Sequence, residues 1–572
     1  MIKGKLVFVL HCHLPYVLSH GKWPHGMDWI NEAAAETYIP LLQVLERLVG
    51  EGISPKITIG ITPVLSEMLA DEQFMIEFTE YLDQKIAAAA VDAGEFYRIG
   101  DKKRHNLARM WEDFYRDTRT YFTEHLNRNI MGIFKRFQDE GHIEIITCAA
   151  SHGYLPLLGE DTSVQAQIKL GVSTYQRYFD RQPRGLWLPE CAYRPAYKWS
   201  PPVEGFGGPR PRKGIEEFLS ENGIEYFVVD SHLLRGGQAI GVYLDRFNAL
   251  RQLWKNFESQ YKPVEEDTEK SPYRLYYAAS RSGAAPVAFF TRDPRTGLQV
   301  WSGEYGYPGD GNYLDFHKKH FPGGHRYWKV TSSTADLADK QVYEPENVEA
   351  RIRENALHFK NLARDICLSE GGLDGHSPMV CAPFDAELLG HWWFEGPQWL
   401  YRVLKEVSQD PDIEAITMGE YYDECPPVEV VSLPEGSWGK GGFHWIWLNE
   451  WTRWTWKHIY EDEQLMKEAA RKYSSHPDDP VAQLLKLLAR ELVLLESSDW
   501  QFLISTWSAR DYAEMRFSNH HSDFKRIYEL LEKTASGEIL TESEKEYIHA
   551  VNERDRLFGH IEPKWWAKVE YE

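Results

Sequence analysis

The 572-residue chain is poor in cysteine and spaces what it has widely. Six occur, Cys12, Cys148, Cys191, Cys367, Cys381 and Cys425, with no C-x-x-C pair among them. That spacing argues against a disulfide framework and fits thiols kept reduced, which makes a cytoplasmic setting the expectation. Long apolar runs are also missing: nothing approaches the ~20 apolar residues of a membrane span. The apolar run in MIKGKLVFVLHCH is too short for a secretory leader and meets polar residues at once. Positive charge is scarce. Lys and Arg number 64 against 86 Asp and Glu, a formal net charge of −22. Nucleic acid and anionic membrane surfaces need a basic footprint, so neither is an expected partner, whereas a neutral polymer feels no such repulsion. Neither a Walker-type loop nor a G-x-G-x-x-G after a strand is present, which argues against phosphate chemistry.

Aromatic surface, by contrast, is abundant, with 21 Trp, 31 Tyr and 26 Phe. Flat rings with a polar edge suit either a large core or stacking against the C–H faces of sugars. Short apolar, β-branched runs recur along the chain. They are KLVFVL (5–10), KITIGI (56–61), IEIITC (143–148), GLWLP (185–189), IEYFVV (224–229), PVAFF (286–290) and PMVCAPF (378–384). Continuous apolar runs of this length are expected of parallel strands buried on both faces. Amphipathic helical stretches such as 34–49 and 355–369 lie between them, so the fold class is α/β, a (β/α) barrel with insertions. A weaker run, EAITM (414–418), leaves an eighth strand open. The barrel is expected over 1–425, with a charged helical insertion about 94–141 over its mouth. The Pro- and Gly-rich stretch 197–214 reads as a long loop, and 235–285 as a second, lid-like one. Residues 426–572 are expected to form a mainly helical C-terminal domain.

In such barrels the chemistry gathers at the C-terminal ends of the strands. The runs end in His11, His13 and Tyr16; in His152; in Glu190; in Asp230 and His232; in Arg292 and Asp293; and in Asp385, Glu387 and His391. A single polar residue after a strand is ordinary helix capping, and Asp230 reads equally well that way. Buried histidines are equally often satisfied core residues. So many ionisable ends point to one site. Asp385 and Glu387 alternate, so one is expected to act and the other to support. Two chemistries fit. Paired carboxylates such as Glu190 and Asp385 could cleave a glycosidic bond. Alternatively, His-x-His with His152, His232 and Asp385 could bind a metal that activates water.

HCHLPY, ASHGYLPLL, WLPECAYRP and FDAELLGHWWFEG, in that order, resemble four conserved regions of glycoside hydrolase family 57. QVWSGEYGYPGDGNYLDFHKKH, GSWGKGGFHWIWLNE and ESSDWQFLI are similar to the family's α-glucan branching members, so the resemblance spans residue 8 to about 566. It implies an incomplete (β/α)7 barrel, a retaining mechanism on an α-glucan, and no metal or other cofactor. By motif, Glu190 is the implied nucleophile and Asp385 the implied general acid/base. His11, His13 and His152 would line the cleaved bond. Arg292, Gly309, Trp438 and Asp499 match glucan-contacting positions, and Trp29, Trp301 and Trp447 match groove aromatics. Branching members carry a tyrosine on a mobile loop; Tyr273 and Tyr276, at the end of the 235–285 segment, are the matching candidates. That segment is longer than the family pattern. Amylases and 4-α-glucanotransferases share the family's chemistry and are the nearest alternatives.

Overall fold

A computed structural model describes residues 3–569 apart from 237–246, 260, 263, 268, 282–284, 304–305, 333, 372–375 and 477–478. Each of the seven apolar runs is a strand. They are β1 (Gly4–Cys12), β2 (Ile57–Ile61), β3 (Ile143–Cys148), β4 (Gly185–Trp187), β5 (Tyr226–Asp230), β6 (Ala288–Arg292) and β7 (Met379–Asp385). All nine residues of β1 are buried, as are all five of β2 and of β5, because helices cover the outside and side chains fill the inside.

The strands run parallel in the order β7-β1-β2-β3-β4-β5-β6, and β6 meets β7 again through one pair, Arg292 with Cys381. The barrel therefore closes through a narrow seam. Lower on β6, the short strand Tyr276–Ala278 pairs antiparallel with Phe289 and Ala288 and occupies the edge that β7 leaves open. The weak eighth run gives β8 (Ile413–Ala415), which pairs only with Gly4–Leu6 at the start of β1. It ends below the level where β2 joins β1 at Val9, so it is a wedge at the base and not an eighth stave.

The helical insertion begins earlier than its charge pattern suggests. A hairpin of α1 (Glu72–Arg98) and α2 (Lys102–Thr120) follows β2, and its residues Tyr81, Gln84, Lys85 and Ala88 face the barrel mouth. The stretch 197–214, expected as a loop, contains an antiparallel ribbon, Tyr197–Trp199 with Arg210–Arg212. Arg212 ties it down through Asp161 at 2.5 Å and the carbonyls of Gly159 and Leu158 at 2.8 and 3.0 Å. In the 235–285 segment, residues 237–246, 260, 263, 268 and 282–284 lie outside the described residues; the rest includes helix Asn248–Glu258.

After β3, α3 (Asp161–Phe179) packs directly on the sheet, and α4 (Pro294–Trp301) follows β6. Beyond residue 452 the chain is helical. It runs through α5 (Arg453–Tyr473), α6 (Asp479–Leu495), α7 (Asp499–Thr506), α8 (Arg510–Ala535) and α9 (Glu542–Arg554). Buried side chains of these helices join those of the barrel in one hydrophobic cluster. Among the described residues, no helix is long and apolar enough to cross a membrane.

Candidate active site

The C-terminal strand ends open into a cavity of about 1060 Å³. His11, His13, His152, Glu190, Asp385, Glu387, Trp29, Trp301, Trp438 and Asp499 all line it.

Glu190 sits in a one-turn 3-10 helix, Pro189–Cys191, directly after β4. Its φ is +60° and that of Cys191 is +46°, both left-handed. A non-glycine residue pays steric strain there, and strain of this kind collects at functional sites. The turn aims the carboxylate back into the cavity. Oε2 accepts a hydrogen bond of 2.7 Å from the Trp438 indole N–H. Oε1 stands 4.0 Å from His152 Nδ1. The Glu190 carbonyl also accepts from the Trp438 amide at 3.2 Å, so one loop residue holds both ends of the glutamate. Trp438 is wedged edge-to-face between Trp187 and Trp301, with centroids at 5.4 and 5.7 Å.

Three histidines form the floor. His11 Nε2 and His152 Nε2 are 3.1 Å apart, and the His13 ring stacks on His152 at 4.0 Å. His11 also stacks on Trp187 at 4.6 Å. Burial, and then the neighbouring imidazoles, hold His11 and His152 well below the usual histidine range, so both are neutral near pH 7. The first turn of α7 locks the floor in place. His13 Nε2 lies 2.9 Å from Asp499 Oδ2, and His152 Nδ1 lies 2.8 Å from Ser498 Oγ. Against its burial, the charge and hydrogen bond of His13 keep Asp499 below its ordinary range.

Asp385 ends β7, paired with His11 of β1, and faces the cavity. Glu387, two residues on, is anchored beside it. Its Oε1 accepts from Tyr38 O–H at 2.5 Å and from the His13 amide at 3.0 Å. Burial first, and the Asp385 charge after it, push the Glu387 carboxyl up to about 8. Both carboxyls of this motif line the cavity, and Glu387 is anchored by Tyr38 and the His13 amide.

Most of the other expected residues lie outside the cavity, and His391 is the exception. Arg292 does not line the cavity. Its guanidinium sits 5.5 Å over the Trp438 ring and pairs with Asp230, so it supports the wall from behind. Burial would raise Asp230, but the Arg292 charge holds it well below the usual carboxylate range. Asp230 also caps the short helix after β5, and His232 lies 3.7 Å from it. Asp293 caps α4 through the Thr296 amide. Gly309 belongs to a 3-10 turn, Tyr307–Gly309, away from the cavity. Trp447 is fully buried and stacks on Tyr154 at 4.5 Å, beneath the wall. Tyr16 donates to the Arg554 carbonyl at 3.2 Å. His391 reaches the cavity 3.5 Å from Glu36.

The two tyrosine candidates lie away from the cavity. Tyr273 is buried and donates to Asp293 at 3.0 Å, while its carbonyl binds the first amide of β7. Tyr276 belongs to the strand that fills the β6 seam, and its hydroxyl accepts from the Ser271 amide. Neither lines the cavity, because the chain around both is committed to sheet pairing low on the barrel. Residues missed in the sequence include Thr62, Tyr38 and Ser498, which hold the histidines and Glu387; Ser498 lies in the ESSDWQFLI motif beside Asp499, and no motif marks the other two. Also missed were the rim aromatics Trp23, Phe316, Phe321 and Trp392.

The metal reading fits the donors poorly. His13, His152 and Asp499 bring ligand atoms within 4.8 Å of one another. Yet all four ring nitrogens of the two histidines already face protein partners, namely Thr62, Asp499, Ser498 and His11.

A parallel barrel with two rim carboxylates and aromatic walls has the make-up of a carbohydrate-active enzyme. The glycosyl hydrolase family 57 model matches residues 7–434, so the chain belongs to that family. A second model, described as 1,4-alpha-glucan branching enzyme, C-terminal, matches 458–566. The chain is 41% identical over 565 residues to a 1,4-alpha-glucan branching enzyme of Thermococcus kodakarensis, covering 98% of this chain and 78% of that one. The crystal structure of the GH57-type branching enzyme from Pyrococcus horikoshii superposes with a TM-score of 0.88 at 40% identity, covering 100% and 98%. The alpha-amylase AmyC of Thermotoga maritima gives a TM-score of 0.80 at 28% identity over 100% of both chains.

Proposed function

We propose that this protein is a 1,4-alpha-glucan branching enzyme. The observation that carries the chemistry is the meeting of Glu190, aimed by a strained turn and bound by Trp438, with Asp385 across one aromatic cavity. The branching outcome rests on the C-terminal match and on full-length similarity to named branching enzymes.

In this reading a Glu190 oxygen attacks C1 of a glucosyl unit, and the C1–O4 bond breaks. Asp385 gives its proton to the departing O4. The glucosyl chain is then held as an ester on Glu190. Asp385, now a carboxylate, takes the proton of an acceptor 6-hydroxyl, whose oxygen attacks C1 and releases Glu190. Two inversions give net retention. Neutral His11 and His152 line the floor beneath the reacting bond without a charge that would compete for the proton. The same reading makes 1–425 the catalytic unit and 426–572 a helical unit that supplies Trp438 and Asp499 to the site. It assigns the protein to glycogen-like storage polymer synthesis, in the reduced cytoplasm that six unpaired cysteines suit.

Likeness to an alpha-amylase supports hydrolysis as a second reading, in which water takes the place of the 6-hydroxyl. Linear amylose separates the two. Reducing ends are counted before and after a debranching enzyme specific for α-1,6 bonds, with Asp385→Asn as the blank. New ends mainly after debranching are expected. Ends that appear beforehand, with none added by debranching, would make the protein an amylase. Glu190→Gln and Asp385→Asn are each expected to lose about 10³-fold or more in turnover, and full activity in either would overturn its assigned role.

A further inference from the structure

The Asp499–Thr506 helix ends at an unusual residue. Trp507 occupies the position just past its C-terminus with φ +58° and ψ +17°. Glycine is the low-cost residue at such a left-handed cap, and a bulky ring there is strained. The ring gains no core burial in return, because Trp507 is 50% exposed. Its inner face is backed by Trp451 at 5.2 Å, and Trp451 is itself half-buried and fixed through its amide to Asn449 Oδ1 at 2.9 Å. The Arg510 guanidinium lies 6.0 Å from the ring. Trp507 is thus an exposed aromatic surface that is rigidly supported and of no evident use to the fold.

It also adjoins the cavity. Ser508, the next residue, lines the cavity, as do Phe502 and Leu503 one turn earlier. Tyr512, one turn further on, packs on the cavity-wall residues Trp29 and His25 at 5.5 and 5.6 Å. A chain leaving the cavity between Trp29 and Ser508 leaves it at the residue that follows Trp507.

We propose that Trp507, braced by Trp451, is an outer platform on which a glucosyl ring of a long α-glucan stacks after it has left the cavity. The inference rests on the α-glucan reading above. It adds that the enzyme favours long chains through a contact that short oligosaccharides do not reach. The occupant is a neutral sugar, because the surface offers an apolar face and an indole N–H, and the site beside it is lined for a neutral polymer.

Trp507→Gly tests it with opposing signs. Glycine relieves the left-handed backbone, so the melting temperature should stay level or rise. KM for long amylose should rise about five- to tenfold, the size of one ring-stacking contact, with kcat for amylose held. Kinetic constants for short maltooligosaccharides serve as the reference and should not move. Trp507→Phe should restore most of the amylose KM. An unchanged amylose KM in Trp507→Gly overturns the platform, as does an equal loss on long and short substrates together with a lower melting temperature. Wild-type protein inactive on every α-glucan would instead overturn the parent reading, whatever Trp507→Gly does.

Discussion

At Glu190 the carboxylate accepts a 2.7 Å hydrogen bond from an indole N–H, on a tryptophan that is itself packed between two others. Trp438→Phe keeps a ring in the wall and removes only the donor. If Glu190 is the nucleophile proposed above, loss of this preorganised hydrogen bond is expected to lower kcat about 10- to 100-fold, with KM changed less than threefold. Steady-state kinetics on amylose read this directly, and a KM effect larger than the kcat effect would mean that Trp438 binds substrate more than it aims the proposed nucleophile. Glu190, Asp385, the three histidines, Trp29, Trp301, Trp438 and Asp499 could all be picked out in the sequence by motif. Arg292 and Trp447 could be picked out too, but sequence order does not say which layer a side chain occupies. Both turn out to stand behind the wall.

At the scale of elements, the strand ends and the first turn of α7 come from opposite ends of the chain and meet in one hydrogen-bonded layer. His13 reaches Asp499 across 486 positions and His152 reaches Ser498 across 346. That layer is in register only if α3 lies tight on β3. A Cβ at Gly171 would stand 2.1 Å from the Cys148 carbonyl oxygen, which a backbone group cannot yield cheaply. Gly171→Ala is therefore expected to destabilise the fold by about 1–3 kcal/mol, the usual range for forced overpacking. Urea unfolding measures it; a variant as stable as wild type would show that the helix can shift away from the strand. The seven strands were legible because burial on both faces leaves a continuous apolar run. The ribbon at 197–214 was not, because Pro and Gly mark turns whether or not the intervening residues pair. Nor was the seam strand at 276–278, whose three residues are too few to show a period.

Over the whole molecule, buried titrating groups set the dependence of stability on pH. Burial lifts Glu387 to about 8, and Glu216, Glu395 and Glu496 to about 7. Each binds a proton in the folded state that the unfolded chain has already released. Its stabilisation is full below the ordinary carboxyl value of 4.5 and drains away as pH rises to the folded value. Buried histidines act in the other direction. His11 and His152 lie well below 6.5, and His20 and His560 fall to about 4, chiefly through burial. Their contribution is present above 6.5 and is lost as pH falls. Between roughly pH 4.5 and 6.5 the two sets oppose each other; above that the carboxyls act alone. Calorimetry should therefore find the melting temperature falling from about pH 6.5 to about pH 8, and a flat or rising profile over that span would contradict the assignment.

The sequence by itself determined the parallel barrel and the family, and it supplied the two carboxylates that the proposed function uses. Each of these is written locally, in the apolar length of a strand and the polar residue that ends it. Tertiary structure alone decided that the eighth run is a basal wedge, that Tyr273 and Tyr276 lie away from the cavity, and that Glu387 is held by Tyr38 and the His13 amide. Those outcomes depend on which backbone edge is left unpaired and on which side chain meets Tyr38 and the His13 amide. The contacts of the wedge and of Glu387 join positions hundreds of residues apart, and no local pattern records them.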